Sequence, residues 1–115
     1  MHTTLIVARF RPGSEAEIAR LFAESDSTEL PGIIGVQRRK LFTFHDIYIH
    51  MVEAEKAVGP AVRREHGTEL FQRISKALDE HIVPFEGRWG SVDQASARQI
   101  YHWERGRGVV AGEGS

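Results

Sequence analysis

The sequence contains no cysteine. That excludes disulfides, thiolate nucleophiles and cysteine-ligated metal sites, and says nothing more about redox compartment. An excess of one charge is also lacking: 15 Lys and Arg stand against 16 Asp and Glu, for a formal net charge of -1. No electrostatic case arises for nucleic acid or an anionic membrane as partner. No apolar run approaches the length of a membrane helix. The first one, in "MHTTLIVARF", is broken by Arg9 and has no basic lead-in, so it does not read as a secretory signal. The expectation is a soluble, cytoplasmic protein. A Walker loop, a dinucleotide-binding glycine pattern and a nucleophile-elbow serine are absent too. Any chemistry would then use acid–base groups and oxyanion stabilisation, with no recognisable cofactor site.

What is present suits one globular domain: 115 residues, 41% hydrophobic and 27% charged. "TTLIVARF" reads as a first strand, ending before Pro12-Gly13. Ser14 with Glu17 has capping-box spacing, and Ile18, Leu21 and Phe22 recur at helical intervals, so a helix is expected to end near Ser25. A connection punctuated by Pro31-Gly32 follows. "IGVQRRKLFTF" and "DIYIHMVEA" read as two strands joined by a tight turn at His45-Asp46. The next stretch is irregular or a broken helix, interrupted by Gly59-Pro60. A second helix is expected from Thr68, its cap, through an apolar stripe of Leu70, Phe71, Ile74, Leu78 and Ile82. "FEGRWGSVDQ" reads as a loop, "SARQIYHW" as the last strand, and residues 104–115 as a loose tail after a domain spanning 1–103.

The order βαββαβ is the split-βαβ, ferredoxin-like arrangement, an α+β fold with a four-stranded antiparallel sheet and both helices on one face. Ile47, Ile49 and Met51 alternate with Tyr48, His50 and Val52, and the first set reads as core. The second set mixes aromatic, aliphatic and ionisable groups, which calls for another cover. A twofold partner laying its own sheet there would enclose a lined cavity.

With His45 and Asp46 as the turn, Leu41 falls opposite His50 and Arg39 opposite Val52. Arg39 and His50 become diagonal neighbours on one face, roughly 7 Å apart by Cα. Arg38 would pair with Glu53. His50 is either a hydrogen-bonded structural histidine or a functional one, and Arg39 either an interface or solvated arginine or a functional one. Asp26 lies where the helix dipole disfavours an acid. It is either a cap that works with Glu29 or a functional carboxylate. Tyr48, Tyr101 and Trp103 are candidate substrate contacts, with core or interface packing as the other reading. His45 and His50 face opposite ways, and no helical histidine pair accompanies a carboxylate, so no metal site is expected.

The string "FAESDSTELPGIIGVQRRKLFTFHDIYIHMVEA" resembles the aromatic polyketide cyclase family of Streptomyces-type bacteria, which includes tetracenomycin and spore-pigment cyclases. The similarity continues more loosely through "LFQRISKALDEHIVPF" and "WGSV" to Tyr101-Trp103. It implies ferredoxin-like protomers paired through their sheets into a dimeric α+β barrel. It implies cofactor-free aldol cyclisation and dehydration of a poly-β-ketone, with Asp26, Arg39 and His50 as the site. A histidine can precede the aspartate in the family; this chain has Ser25. In that chemistry His50, near its ordinary pKa, or Asp26 would move the proton, and Arg39 would hold a carbonyl oxygen. The partners implied are an aromatic polyketide intermediate, a second copy of the chain and components of a polyketide synthase. The rival readings are a cofactor-free monooxygenase of the same architecture and a non-catalytic polyketide-binding protein.

Overall fold

The computed structural model describes residues 1–85 and 92–110. Its elements run β1 (His2–Phe10), α1 (Glu15–Asp26), α2 (Leu30–Ile34), β2 (Val36–Phe44), β3 (Ile47–Ala54), α3 (Gly59–Glu65) and α4 (Glu69–Leu78). They continue with β4 (Ile82–Val83), α5 (Val92–Ala95), β5 (Trp103–Glu104) and β6 (Gly108–Val109). β1 to β4 form one antiparallel sheet in the order β2-β3-β1-β4. The expected α+β architecture and four-stranded antiparallel sheet are therefore present. The expected loop over 85–94 lies outside the described residues from 86 to 91, as do residues 111–115 of the expected tail.

The β2–β3 hairpin has the register its sequence suggests. His45 and Asp46 form the turn, Phe44 pairs with Ile47, Leu41 with His50 and Arg39 with Val52. His45 takes φ 53°, a left-handed conformation that histidine tolerates better than most side chains. The expected Arg38–Glu53 ion pair forms at 3.0 Å. An irregularity between Val36 and Arg38 then brings Val36 beside Ile34, Val52, Ala54 and Val58 in the core.

The faces of β3 are the reverse of those expected. Tyr48, His50, Val52 and Ala54 are buried, while Ile47, Ile49 and Met51 are only half-buried. Tyr48 packs with Ala8, Phe10, Ile18, Phe22 and Ile82, so this face meets α1 and the rest of the core. Hydropathy alone favours Ile-Ile-Met as the core. Polar groups that bring their own partners can be buried as well, and on this face His50 does, bonded to Arg39. The open face carries Leu5 opposite Met51, Val7 and Phe42 on either side of Ile49, and Phe44 opposite Ile47.

Four further expectations change. Ser14 precedes α1 but makes no side-chain cap; its hydroxyl donates to the Arg11 carbonyl, and Glu17 pairs with Arg20 instead. Gly59-Pro60 starts α3 rather than interrupting it, because proline is favoured in a first turn, whose N–H groups lack intrahelical partners. α4 is capped by Thr68 as expected, but ends at Leu78. Asp79 and Glu80 follow, where the helix dipole opposes negative charge. Ile82 leaves the helix and pairs with Phe10 as β4, the fourth strand.

The stretch expected as the last strand contributes little pairing to the sheet. Ser96 bridges Ile6, and the Ala97 amide donates to the Leu5 carbonyl at 2.7 Å. Trp103 and Glu104 instead pair with Val109 and Gly108 in a small hairpin, with Gly106 and Gly108 at φ 89° and 74°. Part of the expected loose tail is thus ordered by its own glycine turn.

Ile82, 4% exposed, anchors the return of the chain to the sheet. Ile82→Ala should cost about 2–5 kcal/mol in urea unfolding, as for a core aliphatic. Exposed Glu80→Ala should change stability by less than about 0.5 kcal/mol. Equal small effects would contradict the strand assignment.

Candidate active site

Asp26, Arg39 and His50 come from three different elements and meet on the helix-covered side of the sheet. Asp26 is the last residue of α1. Arg39 Nε donates to its two carboxylate oxygens at 3.2 and 3.0 Å, and Nη2 donates to Oδ1 at 2.7 Å. The carboxylate therefore grips one edge of the guanidinium, the strongest geometry such a pair adopts. Capping falls elsewhere: Glu29, before α2, makes no side-chain cap, and the Leu30 amide donates to Thr28 Oγ1.

At the other end of the guanidinium, Arg39 Nη1 lies 2.9 Å from His50 Nε2. Arginine carries only donors, so Nε2 must accept and the ring proton must sit on Nδ1. His50 is 8% exposed. Burial, reinforced by the Arg39 charge, pushes its pKa down to about 3. His50 is therefore a neutral imidazole at pH 7, not a group poised near its ordinary pKa. In the structure it is a fixed acceptor for an Arg39 N–H.

Phe22 completes the cluster, and sequence reasoning placed it only in a helix stripe. Its ring centroid is 5.0 Å from the Arg39 guanidinium carbon and 5.0 Å from the His50 ring. The signal was available: Phe22 and Asp26 are four residues apart and share a face of α1. Tyr48, two residues before His50, faces the same way with ring centroids 6.2 Å apart. Burial raises the pKa of its phenol, so it stays protonated.

The remaining candidates lie apart. Tyr101 and Trp103 are exposed, Trp103 within the terminal hairpin, whereas the cluster residues Phe22 and His50 are buried. Their separation follows from the missing long last strand. Ser25 lines a small groove between α1 and α4 with Leu21, Leu70 and Ile74, on a different face of α1 from the Arg39-binding carboxylate. Among the described residues, no group of three or more His, Asp or Glu converges as a metal-ligand set.

Comparison with known proteins places the chain in a family. The family model for polyketide synthesis cyclases matches residues 2–104. The chain belongs to that family. It is 41% identical to polyketide synthase CurG of Streptomyces cyaneus, over 91% of this chain and 99% of that protein. It is 34% identical to tetracenomycin F2 cyclase of Streptomyces glaucescens, over 89% of this chain and 94% of the relative. The solved structure of that enzyme, a type-II polyketide cyclase, matches with a TM-score of 0.83, covering 90% of this chain and 98% of that one.

The buried His50 makes folding pH-dependent with a definite sign. Unfolded, it titrates near 6.5; folded, it does so at about 3. Below pH 6.5 the unfolded chain gains a proton that the folded chain refuses. This contribution is complete above 6.5 and shrinks as pH falls toward 3, by on the order of 2 kcal/mol at pH 5. Urea melts between pH 7 and 4 should show it, with a shallower slope in His50→Gln. Parallel curves for the two proteins would contradict the buried neutral imidazole.

Proposed function

We propose that this polyketide cyclase closes a ring in a poly-β-ketone intermediate by intramolecular aldol condensation and dehydration, without a cofactor. The product would be an aromatic polyketide of the antibiotic or spore-pigment kind. The observation that carries this reading is the Arg39 guanidinium. Its named bonds use three of its five N–H groups, leaving one on each terminal nitrogen for a ligand oxygen.

The chemistry asks for little more. A methylene between two ketones is acidic enough for a carboxylate-strength base to assist its deprotonation. Asp26 is the anion of the cluster, with its side chain 37% exposed and lone pairs left over, so it is the group to accept that proton. The enolate carbon then attacks a ketone carbon of the same chain, and the ketone oxygen becomes an alkoxide. Arg39 N–H groups stabilise that developing charge. The alkoxide takes that proton back from Asp26; the hydroxyl then leaves with a second proton of the attacking carbon as water, and aromatisation drives the step forward. His50 stays neutral and holds Arg39 in place. Positioning the flexible chain contributes alongside this, since a fixed approach of one carbon to one carbonyl lowers the barrier by several kcal/mol.

We further propose that two copies pair through their open sheet faces, as the barrel reading requires. Leu5, Phe42 and Phe44 are 38%, 50% and 67% exposed there, beside Ile47, Ile49 and Met51. An apolar sheet face of that kind needs a second cover. Sedimentation at micromolar concentration should give two chains, and Ile49→Lys should shift the population to one. A wild-type monomer would refute the pairing.

The activity is tested by mass and NMR analysis of products from a defined polyketide synthase with and without the protein. The expected result is a cyclised, dehydrated product at the expense of misfolded shunt products. Arg39→Met, if folded, should lower turnover by about 10² or more. Asp26→Asn should lower turnover of the folded protein too, and should also lower the melting temperature, because Arg39 loses its counter-charge. An oxygen-dependent gain of one oxygen atom would identify a monooxygenase instead. Tight binding without product change would identify a carrier.

A further inference from the structure

Phe22 has no polar side-chain atom, yet it touches two of the polar groups at the centre of the cluster. The guanidinium carbon of Arg39 lies over its ring, 5.0 Å from the centroid. The His50 ring meets it at 5.0 Å with the planes 65° apart. Phe22 is 8% exposed, so these contacts form away from bulk water, where the attraction between a cation and a ring face is strongest.

The geometry divides the work between neighbours. Asp26 holds the Nε and Nη2 edge of the guanidinium. His50 holds one N–H of Nη1. Both hold the guanidinium through its N–H groups, whereas the Phe22 ring adds an aromatic contact to its central carbon that neither of them supplies. Phe22 and Asp26 sit four residues apart on α1, so a single helix supplies both the aromatic contact to the guanidinium and the clamp at its edge. An aliphatic side chain of similar size would fill the space without offering an electron-rich face.

We propose that Phe22 is a positioning residue, fixing the plane of the Arg39 guanidinium and hence the direction in which its two uncommitted N–H groups meet a ligand oxygen. The consequence for turnover rests on the ring-closure reading given above; the positioning itself does not.

Fluorinated phenylalanines placed at residue 22 test this, because successive fluorines weaken and then reverse the ring-face potential while nearly keeping its shape. The readout is solvent exchange of the Arg39 Nε–H by NMR, assigned by its loss in Arg39→Met. Exchange should rise step by step from one fluorine to five, by about fivefold at the end of the series. Turnover should fall in the same order with little change in KM. Phe22→Leu should match the fully fluorinated ring by a different route, and it serves if that analogue does not fold. Wild-type exchange across the series and in Phe22→Leu would overturn the proposal. Faster exchange with unchanged turnover would support the positioning and count against the ring-closure reading.

Discussion

The guanidinium of Arg39 sits where α1, β2 and β3 meet, and its side chain is only 16% exposed. A charge withdrawn that far from water must be paired and hydrogen-bonded, or folding loses several kcal/mol. Asp26 supplies the opposite charge, His50 a neutral acceptor and Phe22 a ring face. Each of these demands a structural setting. The end of α1 must fall at Asp26, β2 must present Arg39 on the helix side, and β3 must turn Tyr48 and His50 toward α1. The hairpin turn at His45-Asp46 meets the last two demands together, because a slip of one residue would send Arg39 and His50 to the other face.

That placement sets the proposed site within one protomer. A cavity between two sheets would draw its walls from two copies of the chain. The cluster instead lies between the sheet and α1 of a single chain, built from groups that the protomer itself supplies. The open sheet face holds no part of the cluster; it carries an apolar centre of Leu5, Val7, Phe42, Ile47, Ile49 and Met51 flanked by Arg9, Lys40 and the Arg38–Glu53 pair. The cluster and the open face are segregated by the two-residue period of β3: its even positions are buried toward α1, and its odd positions lie on the open face.

Much of this was legible in the residues, and the failures are physical. The hairpin register followed from two β-rich runs flanking two residues, and it correctly brought Arg39 beside His50. The face on which they lie did not follow, because Ile47, Ile49 and Met51 look more like core than a strand face carrying histidine. Only knowledge of the partners, Asp26 and Phe22 on α1, shows that the polar face can be buried. The end of α4 was missed since Ile82 fits both a helical stripe and a strand beside Phe10, and contact with β1 decides between them. The ionisation of His50 was out of reach as well. Sequence gives its ordinary pKa, while burial and the neighbouring Arg39 charge move it far below. Tyr101 and Trp103 looked like site residues only through a last strand that the chain largely replaces with a glycine-turned hairpin.

The central claim is that His50 acts through Arg39 and not as an independent acid or base. A double-mutant cycle on turnover with Arg39→Met and His50→Gln measures this directly. If the account is right, the double variant is no slower than Arg39→Met alone, because His50 has nothing left to position. Losses that multiply would contradict it, and would restore His50 as a separate participant in proton transfer.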